Sequence, residues 1–204
     1  MAIRLAINGF GRIGRLVLRA IIENDRRDIE VVGINDLGPV ETNAHLLRYD
    51  TVHGPLNREV KTKDGAIDAG RGWIKVTAER DPAKLPWKGL NVDVALECTG
   101  LFTKRDDAAK HLQAGAKRVL ISAPATGADL TVVFGVNHAK LQKSHTIVSN
   151  ASCTTNCLVP VAAAVRAEGD GVRRGVELVV DDELVDALRA VLAAHAHLVE
   201  LAER

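Results

Sequence analysis

Apolar and polar positions alternate from the start of the chain. Ile3, Leu5 and Ile7 fall between Arg4, Ala6 and Asn8, the period of a short strand. Gly9, Gly11 and Gly14 follow at G-x-G-x-x-G spacing. The period then changes to that of a helix through Ile13, Leu16, Val17, Ala20 and Ile21, ending near Asn24-Asp25. The pattern predicts strand, tight turn, helix. A second strand over 28–34 completes a parallel strand–helix–strand crossover. Leu37-Gly38-Pro39 breaks the chain, a short helix starting at Thr42 or Glu41 is predicted through Asn43 to Tyr49, and 50–55 reads as a polar loop. Glu59-Val60-Lys61 and Trp73-Ile74-Lys75-Val76, around Asp64-Gly65, predict an antiparallel ribbon beside the main sheet. Residues 81–87 are a turn-rich connector.

Further along, Val92 to Leu96 is an apolar strand ending in Glu97-Cys98-Thr99-Gly100. Residues 104–114 have helical spacing, with Gly115 as the C-cap. Val119 to Ile121, Thr131 to Phe134 and Thr146 to Val148 read as further strands. Continuous Val/Ile/Leu runs mark strands buried on both faces. The expected fold class is therefore α/β, a Rossmann-type doubly wound and mostly parallel sheet. A new helix begins within Ser149 to Asn156 and runs roughly to Arg166, where Glu168-Gly169-Asp170-Gly171 interrupts it. That interruption divides the chain into 1–166, a nucleotide-binding domain, and 167–204, a linker, a strand and a helix. Val176 to Val180 would be the strand. Asp181 or Asp182 would cap the final helix, with Leu184, Leu188, Val191, Leu192, Val199 and Ala202 on one stripe packed on the sheet.

Composition narrows the function. The 204 residues carry a net charge of +1, which argues for neither nucleic acid nor an anionic membrane as partner. No apolar run approaches a membrane span and no secretory signal opens the chain, so a cytoplasmic protein is expected. Three cysteines, Cys98, Cys153 and Cys157, are too few for a disulfide framework and suit a reducing compartment. Aromatics are only 3%, so the core must be Val, Ile, Leu and Ala.

Two stretches carry chemistry. In the glycine turn, Gly9 allows the sharp bend, Gly11 lets the backbone approach a pyrophosphate, and Gly14 lets the helix pack close to the strand. The helix start offers free N–H groups and a positive dipole end to phosphates. The second strand ends in Asn35-Asp36, about twenty residues on, where a carboxylate can accept both ribose hydroxyls of an adenosine half. The other stretch is Ser152-Cys153-Thr154-Thr155 at a strand-to-helix junction. A thiol at a helix N-terminus is enriched in thiolate, and nearby amides can steady an oxyanion, so Cys153 is the candidate nucleophile for an aldehyde or acyl group. Cys157, one turn along, is read as structural. The cysteine pair lacks neighbouring ligands, so no metal site is expected. His195 and His197, two apart on a helix, point in different directions and are read as solvated.

Ile7-Asn8-Gly9-Phe10-Gly11-Arg12-Ile13-Gly14-Arg15, Ile34-Asn35-Asp36, Tyr49-Asp50-Thr51-Val52-His53-Gly54, Glu97-Cys98-Thr99-Gly100 and Ser149 to Asn156 closely resemble one family. Roughly the first 165 residues are similar to the nucleotide-binding part of phosphorylating glyceraldehyde-3-phosphate dehydrogenase. Erythrose-4-phosphate dehydrogenase has a related signature. The resemblance implies NAD as cofactor, held by Asn8 to Gly14, Asn35, Asp36, Thr99, Gly100, Phe102 and Ser122. By resemblance, Arg12 and Ile13 approach the pyrophosphate and Asp36 holds the adenosine ribose. Thr99 and Phe102 flank the adenine, Ser122 lies near the cofactor, and Cys153 captures the aldehyde.

The resemblance also implies a histidine base in a Thr-Val-His-Ala context, substrate-phosphate arginines and a nicotinamide-contacting asparagine. None of those stretches occurs here, and none of the seven histidines sits in that context. Val176 to Glu200 resembles, over a short and unspecific stretch, a strand–helix segment of pyridoxal-phosphate threonine dehydratases. The expectation is an NAD-binding domain from a truncated, recombined or engineered chain with little turnover of its own. Glyceraldehyde 3-phosphate would be a partner only if the missing domain is substituted, and self-association is left open. Two competing readings are an active dehydrogenase and a scaffold with a vestigial cofactor site.

Overall fold

The computed structural model describes residues 2–169. In chain order they form β1 (Ile3–Asn8), α1 (Arg12–Glu23), β2 (Ile29–Asn35), α2 (Val40–Arg48), β3 (Tyr49–Asp50), β4 (Gly54–Pro55), β5 (Lys61–Lys63), β6 (Ala66–Asp68) and β7 (Trp73–Thr77). Then come β8 (Val94–Glu97), α3 (Arg105–Ala108), α4 (Lys110–Gln113), β9 (Arg118–Ile121), β10 (Leu130–Thr131), β11 (Ile147–Ser149) and α5 (Cys153–Gly169).

The main sheet has nine strands in the order β10-β11-β9-β8-β1-β2-β7-β6-β5. Every pairing from β10 across to β7 is parallel, and β5 and β6 add the expected antiparallel ribbon at one edge. Asp64 and Gly65, both at positive φ, make its turn, the backbone state that a two-residue hairpin loop requires.

The central strands β8, β9 and β11 are buried on both faces, which is why their apolar runs do not alternate. Leu5, Ile7, Val94 and Leu96 pack with Leu18 and Ile21 of α1 on one side. Ala6, Val32 and Ala95 face Trp87 and Val92 on the other. Ala108, Val119, Ile121 and Ile147 form a third cluster under α3. Sequential strands diverge from β1, with β2 on one flank and β8 on the other. The crevice between the C-terminal ends of β1 and β8 is thus the topological switch point, where open α/β sheets bind ligands. Asn8, Asn35 and Glu97 stand side by side there in register.

Four expectations shift. Residues 104–114 form two short helices, not one. At the join the Leu112 amide reaches Ala109 in a 3₁₀-type bond, and Ala108 and His111 both turn inward, fully buried. The strand expected over 131–134 stops at Thr131, because the side chain of Asn137 takes the next free amide, that of Val133, at 2.7 Å. The loop over 50–55 closes as the β3/β4 pair, with Asp50 Oδ1 accepting from the Val52 and His53 amides at 2.9 and 3.0 Å. Helix α5 continues to Gly169, past the expected end near Arg166. The strand and final helix expected after it lie outside the described residues.

Leu96 is wholly buried in the middle of the sheet, whereas Leu101, five residues on, is 76% exposed. Leu96→Ala should cost about 2–5 kcal/mol of stability. Leu101→Ala should stay within about 0.5 kcal/mol of the parent. Urea denaturation of the two variants checks the difference.

Candidate cofactor crevice and the Cys153 junction

The glycine turn is shaped by what a side chain would meet. Gly9 has φ +89°, and a Cβ there would lie 2.7 Å from the Thr99 amide nitrogen, so the turn presses directly on the loop after β8. A Cβ on Gly14 would lie 2.3 Å from the Gly9 carbonyl oxygen and 2.9 Å from Ile7, so α1 packs on β1 as closely as two backbones allow. Nothing lies within 4 Å of the corresponding position on Gly11. Helix α1 has no side-chain cap and no acidic residue in its first turn. Among the described residues, the amides of Gly11, Arg12, Ile13 and Gly14 take no acceptor; the first intrahelical bond runs from Arg15 N to Gly11 O. Such a helix start is the arrangement that favours an anionic ligand.

Asp36 sits beside it. Its Oδ2 accepts from the Phe10 amide at 2.8 Å, which ties the end of β2 to the glycine turn. Its Oδ1 accepts from the Gly38 amide at 2.8 Å and from Asn43 Nδ2 at 3.3 Å. A carboxylate offers about four lone-pair sites, so one remains for a ligand hydroxyl, and a second hydroxyl would replace the long Asn43 contact. Arg12 turns its guanidinium to Asp50 at 3.0 Å. Burial pushes the Asp50 carboxyl up, but the His53 and Val52 amides and Arg12 together hold it below its ordinary value.

Across the crevice, Glu97 is 1% exposed and its carboxylate takes four donors. Oε2 accepts from Asn8 Nδ2 at 2.6 Å and lies 2.9 Å from His111 Nε2. Oε1 accepts from the Thr99 amide at 2.8 Å and from the Thr99 hydroxyl. Asn8 Oδ1 in turn accepts from Asn35 Nδ2 at 2.8 Å. His111 Nδ1 accepts from the Trp87 indole at 3.0 Å. After Thr99 the chain turns at Gly100, φ +74°, and Phe102 carries the Lys110 ammonium 5.7 Å from its ring centre. Ser122 donates its amide to the Glu97 carbonyl at 3.0 Å, and its side chain stands beside the Cys98 thiol. Burial pushes that thiol up to about 12.

Cys153 lies beyond β11, three strands from the switch point. Ser149 Oγ donates to Ala123 O at 2.8 Å and accepts from the Ala151 amide at 3.1 Å. Ala151 has φ +57°, a strained state for a side-chain-bearing residue, and it turns the chain sharply into α5. Ser152 caps the helix by accepting from the Thr155 amide at 3.0 Å. Asn156 Nδ2 holds the junction from behind, donating to Asn150 O at 2.7 Å and Ser152 O at 2.9 Å. Among the described residues the Cys153 and Thr154 amides take no acceptor, and Cys153 is exposed. Cys157 is exposed as well, which does not suit the structural role read from its position. His195 and His197 lie outside the described residues.

The structure therefore brings Asn8 to Gly14, Asn35, Asp36, Thr99, Gly100 and Ser122 to one edge of the sheet. No sequence motif gives Glu97 a role or points to its buried partners His111 and Trp87. Their bonds join residues 14 and 24 apart, which no local motif reveals. A separate groove of about 530 Å³, rimmed by Arg27, Arg58 and Arg71, lies by the N-terminal ends of β1 and β2, away from this edge.

A mostly parallel sheet with a glycine-rich strand-to-helix turn, an uncapped helix start and a strand-end aspartate defines a dinucleotide-binding α/β protein. Residues 3–105 match the family described as glyceraldehyde 3-phosphate dehydrogenase, NAD binding domain, and the chain belongs to that family. It is 68% identical over 175 residues to the glyceraldehyde-3-phosphate dehydrogenase of Xanthobacter flavus, covering 86% of this chain and 52% of that protein. The Cereibacter sphaeroides enzyme is 64% identical over 175 residues, with the same shares covered. The Geobacillus stearothermophilus enzyme is 54% identical over 177 residues, 86% of this chain and 52% of that protein. The chain spans about half the length of the curated relatives it matches.

The two thiols nearest the chemistry should behave oppositely. Iodoacetamide should label exposed Cys153 well before Cys98, and mass spectrometry of peptides from partly labelled protein reads the order. The Cys98 proton stays on in the folded state above the ordinary thiol value of 9.0, up to about 12, while the unfolded chain loses it. The buried thiol's contribution is therefore intact below pH 9 and declines as pH rises toward 12. Denaturant midpoints of the parent should fall over that range more steeply than those of Cys98→Ala.

Proposed function

We propose that this chain is the NAD-binding part of a glyceraldehyde-3-phosphate dehydrogenase-like oxidoreductase, with residues 1–166 as the cofactor domain and 167–204 outside it. The observation that carries the reading is the uncapped start of α1 held against Asp36 by the 2.8 Å Phe10 bond. The amides of Gly11, Arg12, Ile13 and Gly14 would receive the pyrophosphate. Asp36 would accept from the adenosine ribose, with Asn35 beneath it. Thr99, Gly100 and Phe102 would flank the adenine, and Ser122 would lie near the cofactor. When bound, NAD supplies the hydride acceptor; the chain's own residues bind and orient it. Free thiols at Cys98, Cys153 and Cys157 suit a reducing cytoplasm. Among the described residues no helix is long and apolar enough to cross a membrane.

Cys153 is the nucleophile in this reading. Turnover by this chain alone should be at background. Four of the five described histidines are engaged elsewhere: His111 with Glu97, His138 Nδ1 with the Gly135 amide, His145 Nδ1 with the Gln142 amide, and His45 against Tyr49. His53 Nε2 is buried without a partner and follows the Asp50 turn. Among the described residues no histidine bonds Cys153, and loss of general-base help typically costs about 10²–10⁴-fold in rate. Phosphate-dependent NADH formation from glyceraldehyde 3-phosphate that vanishes in Cys153→Ser would overturn this part of the reading.

NAD should bind in preference to NADP, because the Asp36 carboxylate repels a 2′-phosphate and Leu37-Gly38 supplies no cation. Calorimetry with both dinucleotides tests it. Asp36→Ala should narrow the gap by about 1–3 kcal/mol. Equal affinity of the parent for both would contradict the assignment.

A further inference from the structure

The buried ionisable pair His111–Glu97 is not used by the function above, although both side chains are fully inaccessible. An indole N–H can only donate, so the 3.0 Å contact from Trp87 fixes His111 Nδ1 as an acceptor and puts the ring proton on Nε2. That proton points at Glu97 Oε2, 2.9 Å away. A doubly protonated ring would set two N–H groups against each other at Trp87. The imidazole is thus held neutral and in one tautomer, and it completes the four-donor set of the Glu97 carboxylate. The other donors come from different places. Asn8 is the last residue before the Gly9 turn, and Thr99 begins the loop against which Gly9 packs. Asn8 passes the constraint to Asn35, next to Asp36. Well-packed apolar residues often stabilise a core as well as a buried charge does, so what a buried carboxylate adds is a fixed geometry. Here the geometry fixed is the mutual placement of β1, β2, the loop after β8, and α4.

We propose that His111 and Glu97 are positioning residues for the cofactor crevice. His111, locked by Trp87, completes the shell of Glu97, and Glu97 sets the Gly9 and Thr99–Gly100 turns at the spacing that a bound dinucleotide requires. This rests on the assignment of that crevice to NAD.

Two substitutions divide the ring's roles. In His111→Gln the amide nitrogen falls near the place of Nε2 and keeps the bond to Glu97. In His111→Asn the amide oxygen falls near Nδ1, keeps Trp87 satisfied and leaves Glu97 one donor short. Both should lower the melting temperature. Calorimetry should give a Kd for NAD roughly 5- to 10-fold weaker in His111→Asn, the loss of about one buried hydrogen bond, and within about twofold of the parent in His111→Gln. Amide hydrogen exchange without NAD is the second readout: Thr99 should exchange faster in the Asn variant and not in the Gln variant. Trp87→Phe removes the lock together with part of a fully buried ring, so it too should melt lower, and it serves if His111→Asn does not fold. It should bring the Nδ1–H tautomer of His111 into the ¹⁵N spectrum and weaken NAD about two- to threefold. A purely structural pair would lower stability in both His111 variants and shift NAD affinity and Thr99 exchange in neither, or equally in both; that overturns the proposal. If the parent itself fails to bind NAD while Thr99 exchange still separates Asn from Gln, the positioning role stands and the cofactor assignment falls.

Discussion

One buried carboxylate sets the geometry at the centre of this molecule. Glu97 ends β8 beside Asn8 of β1, at the point where the strand order diverges, and water cannot reach it. A charge in such a place is tolerated only when its lone pairs are filled, and here four donors fill them. The donors belong to β1, to the loop after β8 and to α4, so satisfying the charge also fixes how those segments stand to one another. The glycine turn then has little freedom. Gly9 is pressed against Thr99, and Gly14 against Gly9, so that moving one moves the others.

Parallel pairing does the rest. Because β1, β2, β8, β9 and β11 run the same way, their C-terminal ends all open on one edge of the sheet. The Gly9 turn, Asp36, Thr99, Ser122 and the Cys153 junction each follow one of those strands. The glycine-turn crevice and the exposed Cys153 thiol thus share an edge without being near in sequence. The thiols at the two ends of this arrangement are treated differently: burial at the end of β8 keeps Cys98 protonated, while the sharp turn at Ala151 leaves Cys153 exposed at a helix start.

Much of this was legible in the residues, and the reason is locality. The Gly9–Gly14 spacing, the strand-end Asp36 and the Ser152 cap depend on neighbours a few positions away, and period changes marked most elements. What was not legible depended on distant partners or on competition for one amide. Asn8 meets Glu97 across 89 positions, and nothing in either neighbourhood announces it. The strand after Leu130 looked longer because the sequence does not show that Asn137 captures the Val133 amide. Residues 104–114 read as one helix because helical spacing survives a 3₁₀ step at Ala109 that lets His111 turn inward. Cys157 reads as structural from its place one turn after Cys153, yet that face of α5 is exposed, with Val161, one turn further on, 60% accessible.

The proposed NAD site lies at the C-terminal edge of the sheet, over the turn that Glu97 holds. A crystal structure of this chain with NAD tests that most directly. The pyrophosphate should lie against the amides of Gly11 to Gly14 and the adenosine ribose on Asp36 in place of the 3.3 Å Asn43 contact, with Glu97 still bonded to Asn8, Thr99 and His111. NAD bound instead in the groove by Arg58 and Arg71, at the opposite ends of β1 and β2, would contradict it.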